Sequence, residues 1–114
     1  MCGIAGIHRL GSGPLDAASL RADRDRVATM LAALVHRGPD DHGLEQAGRV
    51  TLGARRLSIL DVAGGHQPLS DASGRVWAAQ NGELYDLPRL RAELSARHVF
   101  RTHTDTELLP HLWL

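Results

Sequence analysis

Residues 1–7 read Met-Cys-Gly-Ile-Ala-Gly-Ile, a short stretch in which small and apolar side chains alternate. Alternation with a period of two is typical of a β-strand, and the apolar composition predicts that this strand is buried. The same stretch places a cysteine at position 2, behind an initiator methionine that is normally removable before a small residue. We therefore expect the fold to begin with a buried strand that carries a thiol at its start.

The composition around this stretch is that of one globular domain. The chain has 114 residues, of which 43% are hydrophobic and 23% charged. Thirteen basic and thirteen acidic residues give zero formal charge, so no global field favours nucleic acid or an anionic membrane. No apolar run approaches the ~20 residues of a membrane span. A single cysteine excludes an internal disulfide, and we expect a cytoplasmic protein.

A helix is predicted next, followed by a strand. Ser19 or Asp16 can cap this helix by accepting from its free backbone N–H groups. The apolar positions that recur at helical spacing are Val27, Met30, Leu31, Leu34 and Val35. Gly38-Pro39 cannot continue the helix, so it ends by Arg37. Residues 49–54 then predict a strand.

The second half of the chain predicts shorter elements. Residues 75–80 and 83–85 flank Asn81-Gly82, which is the strongest short-range signal for a β-hairpin. Asp86 can cap a helix with an apolar face formed by Leu87, Leu90 and Leu94. Residues 99–101 predict another strand.

A last helix is predicted near the end of the printed sequence. Thr104 and Glu107 have the spacing of a capping box, and Pro110 is expected to kink the helix that follows. The apolar residues 112–114 then end the chain, which predicts that it is the front part of a longer domain.

Cys2 is a candidate nucleophile. Once Met1 is removed, the thiol and the α-amine belong to one residue, and near neutral pH such an amine can act as the base for a thiol. This arrangement is nucleophilic catalysis in which an N-terminal amine replaces a histidine. The alternative is an ordinary small buried cysteine, which is common in proteins.

Each of four further residues has two readings. Asn81 and Gly82 can supply oxyanion donors or simply form a turn. Arg56 can hold a carboxylate in a bidentate fork or lie on the surface. Asp105 can receive an ammonium group or complement a helix dipole. The seven histidines include no pair at helical i, i+4 spacing and there is no second cysteine, so we expect no metal site.

Six ordered blocks carry a resemblance to a known family. They are residues 1–4 (Met-Cys-Gly-Ile), 36–43 (His-Arg-Gly-Pro-Asp-Asp-His-Gly), 56–61 (Arg-Leu-Ser-Ile-Leu-Asp), 65–69 (Gly-His-Gln-Pro-Leu), 81–85 (Asn-Gly-Glu-Leu-Tyr) and 104–107 (Thr-Asp-Thr-Glu). Together they resemble the N-terminal glutaminase domain of glutamine-dependent asparagine synthetases, which are class II glutamine amidotransferases. The resemblance covers essentially the whole chain.

The resemblance implies a fold and a domain organisation. The fold is α+β, namely the αββα sandwich of the N-terminal-nucleophile (Ntn) hydrolases, of which this chain would form the front part only. Residues 1–114 would then be a partial amidotransferase domain. The remainder of that domain and a C-terminal synthetase domain would lie outside the chain.

The resemblance also implies a role for each candidate residue. Cys2 matches the nucleophile that attacks the side-chain amide of L-glutamine, and its own amine matches the general base. Asn81 and Gly82 match the oxyanion hole and belong to the glutamine-binding block. The other matches in glutamine binding are Arg56 for the α-carboxylate, Asp105 for the α-ammonium group, and Glu83 in the same block as Asn81.

The implied reaction releases glutamate and ammonia from glutamine through a thioester. In the full-length enzyme, the ammonia would serve ATP-dependent synthesis of asparagine from aspartate. ATP and Mg²⁺ are implied only for the synthetase domain, so we expect no cofactor in this chain. The expected partners are L-glutamine and that synthetase domain, and a homodimer stays open. Two alternatives are an inactive, truncated glutamine-binding or interaction module and an amidotransferase with a different ammonia acceptor.

Overall fold

Three antiparallel strands form the larger sheet in the computed structural model, which describes residues 2–58, 61 and 63–114. The strands are β1 (Gly3–His8), β2 (Asp41–Ala47) and β3 (Val50–Arg56), in the spatial order β1-β3-β2. β2 and β3 form a hairpin whose turn contains Gly48 at a positive φ of 56°. The predicted strands at the start of the chain and at residues 49–54 are thereby confirmed, whereas β2 is not apparent from the sequence pattern.

The helix α1 (Ala17–Ala33) precedes this hairpin in the chain. Its first turn is capped by Asp16, whose Oδ1 accepts from the backbone N–H of Ser19 at 2.7 Å. Of the two predicted capping residues, the structure therefore selects Asp16. The helix ends before the Gly38-Pro39 pair, as expected.

One face of α1 packs on the sheet. Val27 and Leu31 are buried there against Gly53 of β3, where a Cβ would come within 2.7 Å of Leu31 Cδ1. The predicted apolar stripe is too wide, because Met30 and Val35 are exposed. Leu34, which follows the helix, is half-buried and lies against Gly3 of β1.

The second half of the chain forms a two-stranded sheet and short helices. In order, these are β4 (Leu69–Ser70), β5 (Trp77–Ala78), α2 (Leu87–Ser95), a 3₁₀ turn (Asp105–Glu107) and α3 (Leu108–Trp113). The architecture is thus α+β with two antiparallel sheets. Within the described residues, no helix combines the length and the apolar character that crossing a membrane requires.

The predicted hairpin around Asn81-Gly82 is wrong. β5 pairs with β4, Leu69 opposite Ala78, and residues 83–85 form no strand. The backbone N–H of Leu84 donates to Asp105 Oδ2 at 2.8 Å instead of to a neighbouring strand. A distant carboxylate has therefore replaced the local cross-strand partner.

Two predictions for residues 99–107 are wrong, whereas the helix predicted to begin there is confirmed. Residues 99–101 form no strand, because the N–H groups of Arg101 and Thr102 donate to the carboxylate of Glu107 at 2.8 and 2.7 Å. Glu107 therefore does not reach back to the N–H of Thr104, and the hydroxyl of Thr104 makes no capping bond. The capping box is absent although the short 3₁₀ turn begins where it was expected.

Two local predictions about the last helices need correction. Asp86 precedes α2 as expected, but its side chain pairs with Arg89 and caps no backbone N–H. Pro110 lies in the first turn of α3, where its missing N–H costs little.

Gly38 generates the first testable prediction. A Cβ on this buried glycine would lie 2.4 Å from the carbonyl carbon of Arg55 and 2.5 Å from the nitrogen of Arg56. These are backbone atoms and cannot rotate away, so Gly38→Ala should lower the free energy of unfolding by about 1–3 kcal/mol. Urea unfolding checks this value.

The matched control is Gly82→Ala. The nearest atom to a Cβ at Gly82 is 3.7 Å away, an ordinary contact. We expect its free energy of unfolding to stay within about 0.5 kcal/mol of the wild type. Equal effects of the two substitutions would contradict the packing argument.

Candidate active site

A cavity of about 330 Å³ lies where the start of β1 and the end of β3 meet the segments that follow β5 and precede α3. This volume is at the lower end of the range for small-molecule sites, which suits a ligand of amino-acid size. All six residues singled out in the sequence line it, namely Cys2, Arg56, Asn81, Gly82, Glu83 and Asp105. Arg56 and Asp105 are buried, Cys2 is half-buried, and the other three are exposed at its mouth.

The strand register places Cys2 at this cavity. β1 pairs with β3 so that Gly3 lies opposite Arg55, which brings the preceding Cys2 to the end of β3. There the Sγ atom of Cys2 lies 3.4 Å from the backbone nitrogen of Leu57 and 3.8 Å from its carbonyl oxygen. The thiol is thus held at the cavity wall by the backbone that follows β3.

Asn81 is fixed beside Cys2 through Arg37. The Nε atom of Arg37 donates to the carbonyl oxygen of Cys2 at 3.0 Å. With its amide oriented to satisfy both neighbours, Asn81 donates to the same carbonyl at 3.2 Å and accepts from Arg37 Nη2 at 3.2 Å. Arg37 was not singled out in the sequence, because it follows α1 and resembles an ordinary helix-terminating residue.

The Arg56 guanidinium is enclosed by the loop that follows β3. Its Nη2 donates to the carbonyl oxygen of Asp61 at 2.8 Å, and the side chain is 4% exposed. Gly65 allows this close approach, since a Cβ there would come within 2.2 Å of Nη2. A buried guanidinium at a cavity wall can form charge-assisted hydrogen bonds to a ligand carboxylate.

Asp61 stabilises the same loop with its side chain. Oδ2 accepts from the N–H of His103 at 2.7 Å, and Oδ1 accepts from the N–H of Gly64 at 2.8 Å. The hydrogen bond from His103, and next that from Gly64, hold the pKa of Asp61 below its usual value. The carboxylate is therefore charged near neutral pH.

Asp105 supplies a buried negative charge to the cavity. Its Oδ2 accepts from the N–H of Leu84 at 2.8 Å and from Gln80 Nε2 at 3.4 Å. Its Oδ1 lies 3.4 Å from the hydroxyl of Thr104. With Arg56 and Asp105 in its wall, the cavity can receive a ligand that carries both a carboxylate and an ammonium group.

Two polar residues of the cavity wall were missed by the sequence reasoning. Gln67 Nε2 donates to the hydroxyl of Thr106 at 3.0 Å, and Gln67 Oε1 accepts from the N–H of Gln80 at 2.8 Å. Both Gln67 and Thr106 are buried. Nothing local distinguishes a glutamine in a turn-rich segment, because its partners lie 13 and 39 residues further along the chain.

Glu107 and His111 lie buried behind Asp105. Burial opposes the charge of Glu107, but hydrogen bonds from the hydroxyl of Thr102 and the N–H groups of Arg101 and Thr102 outweigh it and lower its pKa. Burial, and next His98, lower the pKa of His111 against the opposing influence of Glu107 and Asp71. The ring of His111 is therefore neutral, with its Nε2 3.8 Å from the Glu107 carboxylate.

No group of three or more His, Cys, Asp or Glu side chains that could hold a metal ion is found in residues 2–58, 61 and 63–114. The charged groups at the cavity are thus arranged as one buried cation and one buried anion, with a further carboxylate, Glu83, at its mouth.

Comparison with known proteins gives concordant findings. A family model described as "Glutamine amidotransferase domain" matches residues 1–114. Asparagine synthetase [glutamine-hydrolyzing] 1 of Bacillus subtilis (strain 168) is 41% identical over 110 residues, which cover 96% of this chain and 17% of the relative. Asparagine synthetase, root [glutamine-hydrolyzing], of Pisum sativum is 40% identical over 113 residues, covering 99% and 18%.

A second Bacillus subtilis (strain 168) protein, Asparagine synthetase [glutamine-hydrolyzing] 2, is 35% identical over 113 residues, covering 99% of this chain and 14% of the relative. By their names, these relatives are enzymes that hydrolyse glutamine. The chain spans less than a fifth of the length of each of these three relatives.

The neutral His111 predicts a pH-dependent stability. The unfolded chain binds a proton at His111 near its ordinary pKa of 6.5, whereas the folded chain resists that proton. The unfolded state then holds more protons below this pH, so the free energy of unfolding should fall on acidification by up to about 1.4 kcal/mol per pH unit. Urea unfolding between about pH 7 and pH 5 measures this slope.

His111→Leu should flatten the slope, because the substitution removes the titrating group. His8→Gln is the matched control, since His8 is exposed on β1, and it should leave the slope as in the wild type. An unchanged slope in His111→Leu would contradict the assignment.

Proposed function

The chain belongs to the glutamine amidotransferase domain family, and on that premise we propose that it hydrolyses L-glutamine to glutamate and ammonia through a thioester on Cys2. The observation that carries the proposal is the meeting of a thiol, a buried cation and a buried anion in one cavity of amino-acid size. We extend the proposal to the fold, as the front part of an Ntn αββα sandwich.

The nucleophile of the proposed reaction is the thiol of Cys2 with its own α-amine as base. This role requires removal of Met1, which lies outside the described residues. The amine takes the proton from Sγ, and the sulfur attacks the side-chain amide carbon of glutamine. The tetrahedral intermediate collapses, the amine returns the proton to the leaving nitrogen, and ammonia departs. Water then cleaves the thioester, which releases glutamate and restores the thiol.

The oxyanion of each tetrahedral intermediate needs hydrogen-bond donors. A side-chain amide nitrogen has two N–H groups, so the contact between Asn81 and the Cys2 carbonyl leaves one for the oxyanion. The backbone N–H of Gly82, the next residue in the cavity wall, is the second donor. Preorganised donors of this kind stabilise the transition state more than the bound substrate.

Two buried charges are proposed to bind the α-amino-acid end of glutamine. Arg56 pairs with the α-carboxylate, and Asp105 pairs with the α-ammonium group. Glu83 at the mouth belongs to the same glutamine-binding segment and adds an acceptor for the ammonium group. Because the cavity is partly closed, these charge pairs are screened less than pairs on an open surface.

The destination of the ammonia is proposed from the relatives. Their names state that they are asparagine synthetases, and this chain spans less than a fifth of their length. We propose that the protein in its native length uses the ammonia for asparagine synthesis in a C-terminal synthetase domain. ATP and Mg²⁺ would act in that domain, and no cofactor is proposed for the residues of this chain.

The nucleophile is tested in the protein of native length. Cys2→Ala should lower glutamine-dependent glutamate release at least about a thousandfold, because it removes the thiol that would form the thioester. Asn81→Ala should lower kcat by about a hundredfold through loss of one oxyanion donor. Mass spectrometry of the wild-type N-terminus should show that Met1 is absent.

Asparagine formation from added ammonia is the control for Cys2→Ala, and it should persist because it bypasses the thiol. Unchanged glutamate release by Cys2→Ala would contradict the mechanism. Wild-type protein that binds glutamine by calorimetry yet releases no ammonia would be a binding module instead.

The carboxylate partner is tested with two adjacent arginines. Arg56→Lys keeps the charge but loses the planar fork, so KM for glutamine should rise about tenfold to a hundredfold while kcat changes less. Arg55→Lys is the matched control: Arg55 is the neighbour on β3, and its Nε donates to the Gly38 carbonyl outside the cavity. Equal KM values for the two variants would contradict the assignment of Arg56.

A further inference from the structure

Asp61 joins the two halves of the cavity without lining it. We infer that Asp61 is a positioning residue for glutamine binding, which holds the Arg56 guanidinium at a fixed place relative to Asp105. The inference rests on the proposed function, because it concerns how the same cavity recognises the α-amino-acid group. Asp61 acts through Arg56 and the backbone, and it does not contact the substrate.

The backbone of Asp61 holds the guanidinium. Its carbonyl oxygen accepts from Arg56 Nη2 at 2.8 Å and from the N–H of Gly65 at 2.8 Å. Since Gly65 also packs directly on the guanidinium, the loop closes around Arg56 at two adjacent points. A displacement of the Asp61 carbonyl therefore displaces the guanidinium as well.

The carboxylate of Asp61 joins this loop to the opposite side of the cavity. Oδ1 accepts from Gly64 within the loop, whereas Oδ2 accepts at 2.7 Å from the N–H of His103. His103 lies 42 residues further along the chain and two residues before Asp105. One side chain thus ties the segment that carries the cation to the segment that carries the anion.

The backbone conformation explains why an aspartate suits this position. Asp61 has a φ of 46°, in the left-handed region that Asp and Asn tolerate better than most residues. An aspartate therefore meets both requirements of this position, the left-handed backbone and two acceptor oxygens. Asn could adopt the backbone but could not offer two acceptor oxygens.

The substrate makes this tie matter. The carboxylate and the ammonium group of an α-amino acid are attached to one carbon, so their spacing is fixed. A guanidinium and a carboxylate that bind both groups must be held within about 0.5 Å of the matching positions. The Asp61 contacts to Arg56 and to His103 set that spacing across two segments that share no strand pairing.

The test is Asp61→Asn in the protein of native length. Asn retains the left-handed backbone, but its amide N–H₂ faces one of the two backbone N–H groups and breaks that hydrogen bond. KM for glutamine should rise about tenfold, with kcat within about twofold of the wild type. If Asp61→Asn does not fold, Asp61→Gly, which also permits a positive φ, is measured in its place.

The matched control is Asp71→Asn. Asp71 is buried whereas Asp61 is half-buried, and its carboxylate likewise accepts backbone N–H groups, those of Ser73 and Val76, at 2.8 Å. It does not line the cavity, so its loss should lower stability without changing KM. An equal rise of KM in Asp61→Asn and Asp71→Asn would show a general structural effect and would overturn the inference.

A double-mutant cycle with Arg56→Lys supplies a readout that a merely structural role would not move. If Asp61 acts through the guanidinium, the fold-increase of KM in the double variant should be smaller than the product of the fold-increases in Asp61→Asn and Arg56→Lys. A fully multiplicative effect, or an unchanged KM in Asp61→Asn, would overturn the inference.

Failure of the proposed function has a different signature. Wild-type protein that binds glutamine in calorimetry but releases no glutamate overturns the proposed reaction alone. The inference is then decided by Kd, where about tenfold weaker binding by Asp61→Asn supports it and an unchanged Kd overturns it. Wild-type protein that binds no glutamine overturns both.

Discussion

The pairing of β1 with β3 is the constraint on which the rest of the cavity depends. Because Gly3 lies opposite Arg55, the residue before β1 and the residue after β3 meet at one corner of the sheet. A shift of one residue would turn every side chain of β1 to the other face. The small residues Gly3 and Gly53 favour this register, since a larger side chain would press on Leu34, the C-cap of α1, or on Val27 and Leu31 within the helix. Packing of the helix therefore determines where the thiol lies.

The opposite wall depends on carboxylates rather than on a sheet. Asp61, Asp105 and Glu107 each accept from backbone N–H groups that a strand partner would otherwise satisfy. This arrangement pairs buried donors and at the same time compensates the burial of charge. It also lets irregular backbone surround the cavity, so side chains can be placed where pleated strands would not bring them. Of these three carboxylates, Asp61 and Glu107 only support the wall, whereas Asp105 supports it and is also proposed to contact glutamine.

The same physics explains how far the sequence could be interpreted. The cap at Asp16 and the strand β3 were predictable because their partners are within a few residues. The segments 83–85 and 99–101 were predicted as strands. Neither forms one, because backbone N–H groups of both segments donate to carboxylates of the 3₁₀ turn. The candidate site residues could be identified from their reactive or charged side chains and from the order of the motifs that contain them. The scaffold around them, including Gln67 and the tie from Asp61, depends on partners that no local pattern reveals.

Several contacts around the cavity join residues that are far apart in the sequence, and this affects the order of folding. The hairpin β2–β3 and the helix α1 need only nearby partners, whereas the Cys2 contact spans 55 residues and the Asp61 contact spans 42. Closing such long loops costs chain entropy before any contact repays it, so distant ties form late. During synthesis, the sheet corner can close once residue 57 has emerged from the ribosome, but the wall around Asp105 must wait for the remaining chain. The nascent protein therefore carries its thiol beside an incomplete pocket while residues 58–105 are being synthesised.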